Sequence, residues 1–384
     1  MQKAGKRGRA WAVALAAVVR KEVRQTLRDR RVMFLLIVAP LLQTVILGYA
    51  VDFDFENVPT LVVDLDRTAT SRMHARRLLA DHTLQRQPGG ASVTTATAEL
   101  RSGKAAAAIV LPPGLERDVL AERPAEVQVL LDGTDPNRAM VVASAAARYF
   151  GETAEDLLRE RLARAHVPPP PVIRAEPRAL YNPGLETAPF MMPGVMTMLL
   201  VITTTIVTAM GLSREREMGT LEQVLVTPIP PLVLLLGKMT PPLVIGCFDV
   251  FLVLTAGVWL FGVPVSGPPA VLAAGTLLYL VCTLGIGLLI SSVSKTQQQS
   301  FLAGFLFIMP AILLSGVMTP VQAMPAWLRM VTYVNPVRYF IEVLRGNLLK
   351  GAGFADLWWR LGALGMIGVI ILFVATMRLR KRMA

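Results

Sequence analysis

Ser213-Arg-Glu-Arg-Glu-Met-Gly-Thr-Leu-Glu-Gln-Val-Leu-Val-Thr-Pro228 is a short charged segment between two long apolar stretches. Residues 190–212 precede it and residues 232–261 follow it, and each stretch is long enough for the roughly 20 helical residues that cross a bilayer core. The segment therefore belongs at a membrane surface. Its closely spaced arginines and glutamates favour contact with another protein, because paired charges fix the register of an interface. The pattern predicts a membrane subunit that receives a soluble partner.

The composition of the whole chain also indicates a membrane protein. Of the 384 residues, 53% are hydrophobic and 17% are charged, whereas a soluble domain has about 25% charged residues. The net charge of +12 comes mainly from residues 1–31, which hold ten Lys and Arg residues, and from the basic tail at residues 378–384. Basic residues beside apolar spans are typical of a cytoplasmic membrane face. No nucleic-acid-binding motif accompanies them, so we expect a lipid membrane and no nucleic acid.

Six apolar stretches are candidates for transmembrane helices. They are residues 32–51, 190–212, 232–261, 270–293, 301–318 and 358–377. An even number of spans places both termini on one side, and the basic termini predict that this side is the cytoplasm. Residues 52–189 and 319–357 then lie outside, whereas residues 213–231 form a cytoplasmic loop. The predicted fold is a polytopic α-helical membrane protein.

The N-terminal arm, residues 1–31, has a second character. Along residues 11–31, apolar side chains such as Val13 and Leu27 alternate with basic ones such as Arg20 and Arg24. This spacing is typical of an amphipathic helix that lies in the membrane interface. The alternative is a basic arm that only sets the orientation of the first span.

A mixed α/β domain is predicted between the first two spans. Strand-like segments alternate with helix-like segments, as in small two-layer domains. The strand-like segments are residues 58–63, 107–111 and 127–131, and the helix-like ones are residues 71–80, 113–121 and 139–165. The run of prolines at residues 168–171 is typical of a stiff connector back to the membrane.

One motif in this domain suggests an enzyme. Asp64 and Asp66 follow a strand-like segment and resemble the first motif of haloacid-dehalogenase-type phosphatases, in which the first carboxylate is the nucleophile. The later acidic pair that would hold Mg²⁺ is missing from the domain, and we favour the alternative, two aspartates that shape a turn. The histidines, His74, His82 and His166, have no metal-binding spacing, so no metal site is expected.

Polar residues inside the predicted spans are few. Asp249 lies near the middle of the third span, and an acid at that depth is a candidate for transport. Thr204 and Thr208 belong to a polar stripe on the second span. These side chains either line a transport pathway or bond to their own helix and its neighbours, and we favour the second interpretation for the threonines.

Several stretches together resemble the permease subunit of bacterial ABC-2-type transporters, the type V exporter architecture. The strongest is residues 214–223 with Thr227-Pro228. The others are residues 24–31, 182–184, 193–194, 236–238, 297–299, 314–320, 324–325, 335–340 and 344–346. The likeness covers nearly the whole chain and is strongest to the multidrug-efflux permeases of Gram-negative inner membranes, which carry an outer α/β insert between the first two spans.

The resemblance implies a dimer of permeases that works with two ATPase subunits. The partner ATPase would bind ATP and Mg²⁺, and this chain would bind no cofactor of its own; its sequence has no P-loop. The loop after the second span would act as the coupling helix that the ATPase moves, and residues 1–31 would contain the connecting helix beside it. The implied coupling residues are Arg214, Glu215, Arg216, Glu217, Gly219, Thr220 and Glu222.

The resemblance also assigns the segment before the last span. Within residues 319–357 it implies short re-entrant helices, with Asn335, Pro336 and Arg338 at an outer turn. The second permease would be an identical chain or a paralogue, and a periplasmic adaptor protein is a further candidate partner. The expected location is the bacterial inner membrane, crossed several times.

Three classes of function remain at this point. The first is an ABC export permease for hydrophobic or amphipathic compounds that works by alternating access. The second is an ion-coupled secondary transporter that uses Asp249, although no inverted repeat supports it. The third is a membrane-anchored enzyme or sensor built on Asp64 and Asp66. The sequence favours the first class.

Overall fold

A computed structural model describes residues 2–28, 34, 38–50, 57–80, 83–166, 180–181, 187–220 and 230–383. The chain divides into two compact units. The first comprises Met1–Phe53 and Arg178–Ala384, and the second comprises Asp54–Pro177. The described part of the first unit is built from helices, whereas the second combines helices with a sheet.

Thirteen helices and four strands are described. In chain order they are α1 (Gln2–Arg28), α2 (Ala39–Ala50), β1 (Val58–Asp64), α3 (Ala69–Leu78), β2 (Leu84–Arg86), α4 (Val93–Arg101), β3 (Ala107–Leu111), α5 (Leu115–Leu120), β4 (Gln128–Leu131), α6 (Pro136–Arg164), α7 (Thr187–Glu217), α8 (Pro231–Phe261), α9 (Pro269–Val293), α10 (Gln297–Leu313), α11 (Ala326–Thr332), α12 (Pro336–Lys350) and α13 (Phe354–Met383).

Four of the described helices are long and apolar enough to cross a membrane. They are α7, α8, α9 and α13, and they contain the predicted stretches 190–212, 232–261, 270–293 and 358–377. Each has a mean hydropathy of at least 2.0 over its most apolar part, as helices surrounded by lipid require. The chain is therefore a multi-pass membrane protein. The predicted stretch 32–51 is described only in part, where α2 lies, so six spans remain a prediction.

Two predicted boundaries differ from the structure. The stretch 301–318 was placed too far along the chain, because α10 begins at Gln297 and ends at Leu313. The hydroxyl of Thr296 caps its first turn by accepting a hydrogen bond from Gln299, and Gly316, with φ +88°, lies in the turn beyond its end. Helix α7 contains the predicted second span and continues beyond it to Glu217 without a break. The first charged residues of the predicted loop thus belong to a long helix.

The core of the helical unit is centred on α9. Tyr279 of α9 stacks on Phe340 of α12, with ring centroids 4.1 Å apart and planes 10° from parallel, and both side chains are fully buried. A Cβ atom at Gly287 would lie 2.8 Å from the carbonyl oxygen of Thr205, so this glycine permits the close contact between α9 and α7. Residues 319–357 accordingly hold a packed helix, α12, in addition to the short α11.

The α/β unit contains a four-stranded sheet in the order β2-β1-β3-β4. β1 pairs in parallel with β2 and β3, and β4 pairs antiparallel with β3. Apolar side chains cover both faces: Val62 and Ile109 belong to one cluster and Leu61 and Val63 to another, as expected for a sheet with helices on it. All three predicted strands are present. β2 and α4 were not predicted.

Candidate functional site at the end of helix α7

Helix α7 ends in the segment that the sequence singled out. The backbone N–H of Met218 donates to Arg214 and that of Gly219 donates to Arg216, each at 3.0 Å. Gly219 has φ +70°, a left-handed conformation that commonly ends a helix and that glycine adopts without strain. Beyond it, the hydroxyl of Thr220 lies 3.2 Å from the carbonyl oxygen of Glu215. The helix end is therefore a defined turn that exposes Met218 and Gly219.

The carboxylate of Glu215 is buried in this helix end. Its side chain is 3% exposed, and its two oxygens accept hydrogen bonds from Lys21 of α1 at 2.7 Å and from Lys238 of α8 at 2.5 Å. Glu22 of α1 completes the group, with its carboxylate 3.1 Å from both lysine ammonium groups. We call these four residues the ion cluster. The two acids and two bases balance in charge. This balance offsets the large cost of burying Glu215 and Lys238, whereas the side chain of Lys21 is 45% exposed.

The ion cluster joins three helices that are distant in sequence. A Cβ atom at Gly237 would lie 2.4 Å from a methyl carbon of Val18, so only glycine allows α1 to lie this close to α8. This contact brings Lys238, the residue after Gly237, to Glu22. Burial lowers the pKa of Lys21, but the hydrogen bond and charge of Glu215 outweigh it, and the pKa is raised overall.

Sequence reasoning missed Glu22 and Lys238 as members of the site. A signal for each was present. Lys238 is the one basic residue in the stretch 232–261, and Glu22 is one of two acids in the basic arm. A charged side chain in an apolar stretch usually pairs with a group of opposite sign.

A second set of contacts ties the end of α7 to the turn between α9 and α10. The guanidinium of Arg216 donates to the carbonyl oxygen of Ser294. The carboxylate of Glu217 accepts two hydrogen bonds from Gln297, one from the side-chain amide and one at 2.9 Å from the backbone N–H. Gln297 is the first residue of α10, where a carboxylate is also favoured by the helix dipole. Deeper in the bundle, the hydroxyl of Ser213 lies 3.0 Å from that of Ser291.

The predicted coupling residues therefore have different positions. Glu215 is buried, whereas Glu217 is exposed and accepts hydrogen bonds from Gln297. Arg214 is exposed, and Gly219 and Thr220 form the turn. Glu222 lies outside the described residues. The exposed part of this helix end is thus smaller and less acidic than the sequence suggests.

The sequence comparisons agree with this architecture. The sequence model of the ABC-2 family transporter proteins matches residues 30–377. The chain belongs to the ABC-2 transporter family. It is 32% identical to the Escherichia coli protein named "Probable multidrug ABC transporter permease YbhR", over 90% of this chain and 92% of the relative. It is 27% identical to the E. coli "Inner membrane transport permease YhhJ", over 94% and 95%, and 23% identical to the Bacillus subtilis "Linearmycin resistance permease protein LnrN", over 88% and 90%.

The ABC-2 protein keeps its predicted pathway residues inside the bundle. Thr204 contacts the carbonyl oxygen of Leu200 in its own helix, and its hydroxyl lies 2.9 Å from that of Thr283 on α9. Asp249 is 1% exposed. Among the residues that the structure describes, neither of its oxygens has a hydrogen-bond partner, and the hydroxyl of Thr208 has none either. The three residues are not hydrogen-bonded to one another. The hydrogen bonds of Thr204 give it a structural role. No such contact explains the presence of Thr208 or Asp249.

The residues of the predicted outer turn form the N-terminus of helix α12. Asn335 caps α12 by accepting from the backbone N–H of Val337 at 3.1 Å, and its amide donates to Ala311 of α10 at 2.7 Å. Pro336 occupies the first position of α12, where its missing N–H is harmless. Arg338 forms an ion pair with Glu342 at 3.3 Å. These residues fix the junction between α10 and α12.

Asp64 and Asp66, the two aspartates of the phosphatase-like motif, stabilise turns in the α/β unit. Asp66 accepts hydrogen bonds from the backbone N–H groups of Gly114 at 2.7 Å and Glu116 at 3.0 Å, at the start of α5. Asp64 accepts from the hydroxyl of Ser71 at 3.0 Å. Within the described residues, no group of three or more His, Cys, Asp or Glu side chains could hold a metal ion. Each carboxylate thus has a structural task, as the turn interpretation predicted.

Proposed function

We propose that this chain is the membrane-spanning permease of an ATP-driven exporter and that a separate ATPase subunit drives it through the end of α7. The observation that carries the proposal is the double attachment of this helix end. The ion cluster fixes it to α1 and α8, while Arg216 and Glu217 fix it to the turn before α10. A force applied at the exposed Met218–Gly219 turn would reach all of these helices together.

The mechanism follows from which parts are rigid. The ion cluster resists separation, because moving Lys238 away from Glu215 leaves two buried charges unpaired. α1, α7 and α8 would therefore move as one body when the ATPase dimer closes on ATP and Mg²⁺. α10 would follow because its first residue is bonded to Glu217. Movement of these helices would open a central path outward, as alternating access requires.

Assembly with a second permease is supported by the distribution of apolar surface. The most apolar part of α7 is 72% buried within this chain, whereas the corresponding parts of α8 and α13 are 28% and 22% buried. Lipid or another membrane protein must cover these exposed faces. We propose that a second permease covers part of them, that both termini are cytoplasmic and that the α/β unit lies on the opposite face of the inner membrane, where an adaptor protein could bind it.

The substrate class is inferred from the relatives and from the spans. Two relatives carry names that refer to multidrug transport or to resistance to linearmycin. The spans of this chain contain few ionisable side chains, which suits hydrophobic or amphipathic compounds. We propose outward transport of such compounds.

A second candidate function rests on Asp249. A fully buried carboxyl group without a hydrogen-bond partner is costly, and intramembrane acids serve ion coupling in many transporters. An ion-coupled transporter would continue to transport after ATP depletion and would stop when the proton gradient is dissipated. The ABC permease would show the reverse.

The decisive experiment is affinity purification of the tagged chain from its native membrane in mild detergent, followed by mass spectrometry and an ATPase assay. We expect a stoichiometric P-loop ATPase. Met218→Glu should abolish its recovery, because Met218 is 54% exposed in the proposed contact and is not part of the ion cluster. Met140→Glu is the matched control, since Met140 is 66% exposed on α6 of the α/β unit.

Recovery of a folded protein without an ATPase would refute the proposed function as an ATP-driven permease. Recovery of equal amounts of ATPase with both variants would refute only the assignment of this helix end.

A further inference from the structure

The α/β unit contains a cleft that the proposed transport function does not use. It has a volume of about 580 Å³ and lies between α5, residues 121–127 and the second half of α6. Most of its lining residues are apolar, with Leu115, Val119, Phe150 and Leu157 among them. Clefts that bind organic molecules are commonly about 300–1,000 Å³ and mostly apolar, with a few polar groups. The size and lining of this cleft fit that description.

One polar side chain lines the buried part of the cleft. His74 is 8% exposed, and its Nδ1 atom lies 2.8 Å from the hydroxyl of Tyr149. Burial, together with the charge of Arg77, lowers the pKa of His74, so the ring is neutral at pH 7. When the Tyr149 hydroxyl donates to Nδ1, the proton of the ring resides on Nε2. Nε2 has no partner within the described residues and can donate to a bound molecule.

The mouth of the cleft carries an excess of positive charge. Two of its arginines have acidic partners, since Arg161 pairs with Glu122 at 2.8 Å and Arg164 pairs with Glu160 at 3.4 Å. Arg123 is the remaining charged residue of the lining, and it forms no ion pair within the described residues. An anionic group at the mouth would therefore meet a guanidinium that is available for a charge-assisted hydrogen bond.

We propose that this cleft binds an amphipathic organic anion. The apolar body of the ligand lies against the α5 and α6 walls, its anionic group contacts Arg123, and a polar acceptor at its buried end receives a hydrogen bond from His74. Free fatty-acid-like molecules and single-chain anionic lipids share this chemistry. The inference concerns the α/β unit alone and does not depend on the proposed coupling to an ATPase.

The test uses the full chain in lipid nanodiscs and the fluorescent probe 11-(dansylamino)undecanoate, which has a carboxylate at one end and a sulfonamide acceptor at the other. Empty nanodiscs measure the signal from probe dissolved in lipid. We expect saturable binding above this background, displaced by oleate. Lysophosphatidylglycerol in a parallel titration distinguishes a single-chain lipid from a free fatty acid, because the better competitor identifies the source.

Variants separate the cleft from other apolar surfaces. Arg123→Glu should weaken probe binding by about tenfold or more, because a charged hydrogen bond becomes a repulsion, whereas Arg101→Glu on the exposed end of α4 should not. Ala154→Trp should fill the cleft and abolish saturable binding. Leu157→Glu, at a position 42% exposed, blocks the cleft without inserting bulk into the core and serves if Ala154→Trp does not fold.

Three results would overturn the proposal. They are the absence of saturable binding, equal affinities for Arg123→Glu and Arg101→Glu, and equal affinities for the probe and its uncharged methyl ester.

Discussion

The carboxylate of Glu217, at the end of α7, accepts both the backbone and the side-chain hydrogen bonds of Gln297, the first residue of α10. Eighty positions separate the two residues in sequence. The contact makes the start of one apolar helix depend on the position of another. Among the described residues, it is the one contact between the end of α7 and α10 that is made by a carboxylate. A single substitution at Gln297 removes it without changing any other side chain.

Gln297→Pro should uncouple ATP hydrolysis from transport while α10 still forms. Proline lacks both donors, yet the first position of a helix tolerates it, and Thr296 already has the extended backbone that precedes a proline. We expect the substrate-stimulated ATPase rate of the purified complex to fall to the basal rate. Gln298→Ala, at the exposed neighbouring position, is the control. Full stimulation in Gln297→Pro would show that the link carries no force.

Lys238→Met should destabilise the helical unit strongly. The substitution leaves the buried carboxylate of Glu215 and the 14%-exposed carboxylate of Glu22 with only Lys21, whose side chain is 45% exposed. Breaking a fully buried ion pair costs about 3–5 kcal/mol, and solvent at Lys21 makes this an upper bound. Adding Glu22→Gln restores electrical neutrality, because Lys21 and Glu215 then remain as a pair. The double variant should therefore recover part of the thermal stability in detergent. A double variant less stable than Lys238→Met would contradict this account of the cluster.

Gly237→Ala should displace α1 from α8. The added Cβ would lie 2.4 Å from Val18, and overpacking of this kind costs about 1–3 kcal/mol. Val18→Ala removes the nearest methyl group and should suppress part of the loss in thermal stability. Gly211→Ala in α7 is the matched control, since within the described part of the chain no atom outside its own helix turn lies within 4 Å of the added Cβ. Equal stability of the Gly237 and Gly211 variants would place α1 elsewhere.

Asp249→Asn should leave ATP-driven transport largely intact. The amide has the same shape as the carboxyl group and carries no charge, so it occupies the buried site at a smaller desolvation cost. Transport of a fluorescent amphipathic compound by reconstituted vesicles measures the outcome. Complete loss of transport, with normal stability and ATPase recovery, would favour the ion-coupled alternative.

Acidification should weaken the α/β unit through His74. Its pKa is lowered below the ordinary value of 6.5 by burial and by Arg77, so the unfolded chain binds more protons than the folded one in this range. Stability is therefore fully present above pH 6.5 and declines as the pH falls toward the lowered pKa. Hydrogen exchange of β1 and α6 in the full chain should accelerate between pH 7 and pH 5.5, after correction for the intrinsic pH dependence of exchange. His74→Gln should reduce this effect.

Local sequence patterns predicted individual helices and strands, whereas the pairing of charges that are distant in sequence could be recognised only in the structure. The stretches within α8 and α9 are apolar for more than 20 residues, and such length is sufficient to recognise a span. β2 has three residues and gives no periodic signal. Glu215 and Lys21 are 194 positions apart, and no sequence pattern shows that they meet. For this reason the sequence predicts a charged segment at residues 213–228 but not the burial of Glu215 within it.

The ion cluster also has a consequence for biosynthesis. Lys21 and Glu22 are synthesised long before Glu215 and Lys238, so the four charges cannot pair until α7 and α8 have been made. The four charges meet only if α7 and α8 insert with the ends that carry Glu215 and Lys238 on the side where α1 lies. An inverted hairpin would leave Lys238 and Glu215 across the bilayer from their partners. The ion cluster thus stabilises one orientation of the inserted chain, because its four charges can pair only in that orientation.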